Sequence, residues 1–302
     1  MRIGSRGSPL ALVQAREVKS RLVTAGVDAE RIDIRPIRTT GDLIQDRPLA
    51  EAGGKGLFTK EIEEALISGT IDLAVHSAKD IPTVLPSGLV LAGFLPREDA
   101  RDAFIGRTAK SLRELPGGSV VGTASLRRQA MVKRLRPDLA VVTMRGNVET
   151  RLRKLESGAA DATLLAVAGL KRLGLLSAAT AMLEVDEFLP AVGQGAIGIE
   201  TRADDGATRA LVAMINDPDT ATALAAERAF LAVLDGSCRT PIGGHATVHA
   251  GVVRFRGMVL MPDGRDAFEA TREGHSQDAA ELGAAAGREL RERAGADFFV
   301  QV

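Results

Sequence analysis

The sequence predicts an α/β protein of two similar lobes followed by a small α+β domain. Three observations carry that expectation. Short apolar runs alternate with helical patterns over residues 1–80 and again over 119–175, the signature of strand and helix layers with a mainly parallel sheet. Two proline-containing crossings, LPREDAR at 95–101 and LPAVGQG at 189–195, separate the blocks and return the chain to the first. Beyond residue 240 the alternation stops, and strands near 244–250, 252–260 and 266–273 meet at a Pro262, Asp263, Gly264 turn. The expected divisions are residues 1–95 with 196–213 for lobe 1 and 101–189 for lobe 2. Residues 218–302 form the third domain, with a three-stranded antiparallel sheet, and hinges lie near 96–100 and 190–195.

The elements follow in order. Ile3–Ser5 reads as a strand. Ser8 then offers an N-cap with Pro9 at the first helical position, and Ala11, Ala15, Val18 and Leu22 recur at helical spacing. Residues 31–38 alternate like a strand. Residues 41–57 lack periodicity and carry Gly53, Gly54 and Gly56, so a mobile loop is expected there. A helix from about Thr59 to Ser68 stops at Gly69. The run 71–75 reads as a buried strand that hands over to His76, Ser77, Ala78, Lys79 and Asp80.

In the second block, residues 119–122 form a strand and Ser125 caps a helix through Leu135. Residues 139–144 form another strand, followed by Arg145, Gly146, Asn147 and a helix through Val148, Leu152 and Leu155. The run 161–167 is a further strand. Helices at 220–234 and 278–294 flank the terminal sheet, and the first leads into a loop of Asp235, Gly236, Ser237 and Cys238.

Composition limits the function. Of 302 residues, 39 are basic and 39 acidic, and this neutral balance argues against general nucleic-acid binding. Tyr and Trp are absent, so base-stacking platforms are scarce. One cysteine excludes an internal disulfide and thiolate-cluster metal sites, and the four histidines lack metal-ligand spacing; no metal is expected. No apolar run is long enough to span a membrane or act as a signal peptide, which favours the cytoplasm. No heptad or large apolar face demands a partner, which favours a monomer.

The basic residues are lopsided, 31 arginines against eight lysines. Base composition of the gene accounts for the total, so only placement is informative. Arg6, Arg127, Arg128, Arg145 and Arg151 follow strands or open helices in both lobes. A helix start favours anions, so consecutive arginines there point to a polyanion. The competing explanation is pairing with carboxylates of the protein. Asp80 stays ionised among such cations and suits proton acceptance or stabilisation of positive charge on a substrate. His76 reads as a packed structural residue. Cys238 has Arg239 beside it, which raises its thiolate fraction.

The motifs SRGSPLAL (5–12), GGKGLFTKE (53–61), DLAVHSAKD (72–80), REDARDAF (97–104), VGTASLRRQ (121–129), RGNVETRL (145–152), LAVAGLKRLG (165–174), LPAVGQGAIGIE (189–200), AERAF (226–230) and GSCRTPIG (236–243) resemble the hydroxymethylbilane synthase (porphobilinogen deaminase) family over nearly the whole chain. The resemblance implies two lobes like those of periplasmic binding proteins. It implies a transferase of heme biosynthesis that joins four porphobilinogen molecules head to tail, with loss of ammonia, into hydroxymethylbilane. It implies a dipyrromethane cofactor on a thioether to Cys238, with Asp80 catalytic. Lys79, Asp80, Thr123, Ser125, Arg127, Arg128, Arg145 and Gly146 would bind the cofactor. Arg6, Ser8, Arg145, Arg151 and Arg172 would bind substrate, and Lys55 and Phe58 would belong to a mobile loop over the cleft. Glu51, Ala78 and Ala124 depart from the commoner residues of the family. A two-lobed anion-binding protein and a cysteine hydrolase are the rival expectations. The first needs neither Cys238 nor a third domain, and the second needs a base paired with Cys238.

Overall fold

The computed structural model describes residues 1–43, 56–234, 240–295 and 298. Lys55, Glu51, Cys238 and Arg239 lie outside the described residues.

The first lobe is built from β1 (Arg2–Arg6), α1 (Pro9–Thr24), β2 (Asp33–Ile37), α2 (Thr40–Leu43), α3 (Lys60–Ile67), β3 (Leu73–Ser77) and β4 (Leu89–Phe94). The second holds β5 (Asp102–Gly106), β6 (Val120–Gly122), α4 (Leu126–Leu135), β7 (Ala140–Val142), α5 (Val148–Glu156), β8 (Ala162–Ala166), α6 (Val167–Arg172) and β9 (Ala181–Leu183). The chain then re-enters the first sheet as β10 (Ile197–Arg202), followed by α7 (Gly206–Ala213). The third unit is α8 (Pro218–Val233), β11 (Ile242–His249), β12 (Val252–Leu260), β13 (Ala267–His275) and α9 (Ala279–Ala294).

The lobe sheets have matching order, β2-β1-β3-β10-β4 and β7-β6-β8-β5-β9. In each, the first two pairings are parallel and the last two antiparallel. The expected mainly parallel sheet is therefore corrected to a mixed one. The reason is the crossings. β10 returns from the second lobe and runs against β3 and β4, and β5 enters from the first lobe and runs against β8 and β9. The strands β4, β5 and β9 went unpredicted.

Side-chain alternation builds the layers. Leu73 and Val75 of β3 pack with Val18 and Leu22 of α1, while Ala74 faces Ile62 and Leu66 of α3. The antiparallel sheet β11-β12-β13 packs under α8 and α9 around Phe230 and Phe255. This third core also takes in Ala78, Ile81 and Phe94 of lobe 1, and Met258 and Leu260 join the core of lobe 2. One domain thus braces both lobes.

Glu227 of α8 fixes the crossings. Its carboxylate, wholly buried, accepts from Gly193 N at 2.7 Å, Ala246 N at 2.8 Å and Arg97 Nη2 at 3.2 Å. Arg97 lies on the outgoing crossing and Gly193 on the return. The crossings also touch directly: a Cβ on Gly195, whose φ is +91°, would sit 2.3 Å from Glu98 O. Only glycine fits such an approach in that backbone region.

Candidate functional site

Local chemistry delivers the lobe 1 residues to one edge. Ser8 caps α1, its hydroxyl accepting from Ala11 N at 3.4 Å, and Arg6 ends β1 immediately before it. β3 ends in a tight 3-10 turn over Ala78–Asp80, which turns Lys79 and Asp80 outward. Gln14 of α1 donates to Ser77 at 2.9 Å and ties that turn to the helix. Arg6, Ser8, Gln14, Phe58, Lys79 and Asp80 line one pocket. Arg6 lies with its guanidinium 4.1 Å from the Phe58 ring centroid and 4.0 Å from Asp80 Oδ2. Gly41 N donates to Leu57 O at 2.8 Å, so the two described ends of the 41–57 segment meet beside this pocket.

Lobe 2 presents the mirror set. Ser125 caps α4 by accepting from Arg128 N at 3.4 Å, and its own N–H donates to Thr123 Oγ1 at 3.1 Å. Asn147 caps α5, and Arg151 Nε donates to Gly146 O at 2.8 Å. Arg127 and Arg128 are 5% exposed and face a partner that sequence reasoning missed, Asp102 at the start of β5. Asp102 accepts from Arg127 Nη2 at 2.7 Å and from Arg128 Nε and Nη2 at 3.0 and 2.7 Å. Two guanidiniums on one carboxylate leave a net positive charge.

Gln194 of the return crossing joins the lobes. Its amide nitrogen donates to Asp102 Oδ1 at 3.1 Å, and its oxygen accepts from Lys79 Nζ at 3.4 Å. Arg172, at the end of α6, does not stand alone either. Its Nε is 3.3 Å from Glu17 Oε2 of α1, and its Nη2 donates to Gly195 O at 3.1 Å.

The electrostatics show cations crowded together. Lys79 is an exposed residue on the pocket wall, yet protein crowds around it. That crowding, ahead of the charge of Arg128, pushes its pKa down to about 8, with Asp80 and Asp102 opposing. Burial, then Arg128 and Arg145, lower Arg151 to about 10, with Asp80 again opposing. Burial alone would raise Asp102, yet Arg127 and Arg128 outweigh it and hold the carboxyl well below the usual range. Lys79, Arg128, Arg145 and Arg151 thus share one field, with Asp80 as a carboxylate inside it.

The structure therefore brings Arg6, Ser8, Phe58, Lys79 and Asp80 together on one side, and Thr123, Ser125, Arg127, Arg128, Arg145, Gly146 and Arg151 on the other. His76 borders the same pocket but is buried, 3.2 Å from Glu200. Among the described residues, no group of three or more His, Cys, Asp or Glu could hold a metal ion.

Comparison with known proteins follows the same lines. Residues 1–210 match the family described as porphobilinogen deaminase, dipyromethane cofactor binding domain, and residues 221–292 match the porphobilinogen deaminase C-terminal domain. The porphobilinogen deaminase of Nitrobacter hamburgensis is 66% identical over 298 residues, covering 98% of this chain and 94% of that one. That of Nitrobacter winogradskyi is 65% identical over the same spans. Among solved structures, a periplasmic substrate-binding protein of an ABC transporter from Coxiella burnetii is 14% identical with a TM-score of 0.44, over 76% of this chain and 96% of that one. The chain belongs to the porphobilinogen deaminase family, enzymes that build a linear tetrapyrrole from porphobilinogen in porphyrin biosynthesis.

Proposed function

We propose that this synthesis takes place in the cleft between the lobes, with Asp80 as the catalytic carboxylate and the dipyrromethane fixed by a thioether to Cys238. The observation that carries the proposal is the shared cation field: Lys79 and Arg151 are both depressed, first by burial and then by neighbouring arginines, and Asp80 opposes the shift in each. A dipyrromethane suits that field, because each ring carries an acetate and a propionate that would neutralise it.

Lys79, Arg127, Arg128, Arg145 and the Thr123, Ser125 and Gly146 edge would hold the group, together with Asp80. When bound, it supplies the pyrrole carbon to which porphobilinogen is joined. Arg6, Ser8, Arg145, Arg151 and Arg172 take the carboxylates of the incoming substrate and orient its ring. Asp80 is unsuited to hold an anion, so its role lies at the reacting pyrrole. Its charge stabilises the cation that forms as ammonia departs, and electrostatic stabilisation of this kind is often a large part of catalysis. Asp102 holds both arginines in place, their guanidiniums buried against its carboxylate.

Cys238 falls between Leu234 and Thr240, and the chain beyond it docks on the return crossing, where Gly244 N donates to Pro190 O at 2.9 Å. Residues 1–95 with 196–213, 101–189, and 218–302 are proposed as the three moving bodies, with 96–100 and 190–195 as hinges and the Lys55 to Phe58 segment as a cover. A neutral net charge supports a small-molecule partner rather than nucleic acid. No described helix is long and apolar enough to cross a membrane, and we place the chain as a cytoplasmic monomer.

Asp80→Asn tests the assignment. It should keep the fold and the bound dipyrrole, read by intact mass, and slow turnover by about 10² or more. Near-normal turnover removes Asp80 from its role.

A further inference from the structure

Arg172 lies where a substrate carboxylate is expected, yet a carboxylate of the protein already holds it. Glu17 Oε2 is 3.3 Å from Arg172 Nε, and the Arg172 side chain is only 9% exposed. The pair crosses the cleft, since Glu17 belongs to α1 of lobe 1 and Arg172 to α6 of lobe 2. A further contact shows that these helices meet there. Leu10 of α1 reaches the space beside Gly169 of α6, where a Cβ would lie 3.5 Å from Leu10 Cδ2. Arg172 also donates to Gly195 O on the return crossing at 3.1 Å.

Glu17 is placed for this by helix periodicity. Leu10, Gln14, Glu17 and Arg21 share one row of α1. Leu10 and Gln14 line the pocket, and Glu17 follows one turn after Gln14 on the same row of the helix. Arg21 Nη2 is 3.5 Å from Glu17 Oε1 and steadies the carboxylate from behind.

We propose that Glu17 is an internal competitor at the Arg172 anion subsite and, through it, a latch between the lobes. The inference rests on the reading of Arg172 as a substrate contact. An arriving carboxylate must displace Glu17 from Arg172. Displacement breaks the α1 to α6 ion pair, so filling the subsite loosens the lobes at that rim. Glu17 thereby sets the affinity for the carboxylate-bearing substrate and couples its binding to widening of the cleft.

Steady-state kinetics with porphobilinogen on the cofactor-loaded enzyme tests this. Glu17→Gln keeps the size and removes the charge. KM should fall about two- to five-fold, the range that a partly exposed ion pair allows, with kcat moving less. Arg172→Gln should raise KM, and adding Glu17→Gln to it should change nothing further. If Arg172→Gln raises KM but Glu17→Gln leaves it unchanged, or lowers it equally in the Arg172→Gln background, the competitor is refuted. If Arg172→Gln leaves KM unchanged, the subsite itself falls, and the inference with it.

Discussion

Asp102→Asn is the sharpest perturbation of the machinery behind the cleft. Asp102 has no exposed surface, and its oxygens accept from Arg127, Arg128 and Gln194. Asparagine keeps the shape but removes the charge that two buried guanidiniums share, and it turns an N–H toward donors. Removing one partner of a buried ion pair costs about 3–5 kcal/mol, because the remaining charge stays buried and unpaired. At about 2–4 °C per kcal/mol for a unit of 150–250 residues, the transition containing lobe 2 should fall by roughly 6–20 °C. Scanning calorimetry resolves that transition. The penalty should be constant from about pH 5 to 8. Asp102 titrates well below its ordinary 3.8 in the fold, so its contribution is complete above that value and falls away only in stronger acid. A shift under about 2 °C, or a penalty that vanishes toward pH 5, refutes the account of how the two arginines are held.

Three other predictions concern the cleft and the return crossing. Lys79, with a pKa near 8, should lose anion affinity as pH rises through that value. Calorimetric titration of inorganic phosphate into the Cys238→Ala protein should show this, and Lys79→Arg should abolish the dependence. Charging Lys79 opposes folding, so this group makes the fold more stable as pH rises from about 8 toward the ordinary 10.5. Gly195→Ala should destabilise by at least about 1 kcal/mol from the left-handed backbone alone, with the contact to Glu98 O adding to it, read by urea unfolding.

What was legible in the sequence was local. Ser8 and Pro9 announce α1 because capping acts over three residues, and Ala11, Ala15, Val18 and Leu22 are indeed buried. Lys79 and Asp80 could be placed at the cleft because they follow a buried strand. The unread parts depend on distant partners. β5 opens with Asp102, a charge that looks exposed until Arg127 and Arg128 cover it from 25 and 26 positions away. The antiparallel pairing of β10 follows from the chain's return path, which no local pattern encodes. Glu17 reads as a solvated helix residue, and its partner is 155 positions on. The arginines were found by placement, but whether each faces a ligand or a carboxylate of the protein is settled in three dimensions.

The central claim is that a dipyrrole is fixed to Cys238 and serves as the base on which the product is built. Intact mass of the purified protein tests it most directly. The account predicts a mass above that of the 302-residue chain by one covalently bound dipyrrole, absent from Cys238→Ala together with turnover of porphobilinogen. A chain of unmodified mass that still turns over porphobilinogen, or a Cys238→Ala variant that keeps the added mass, contradicts it.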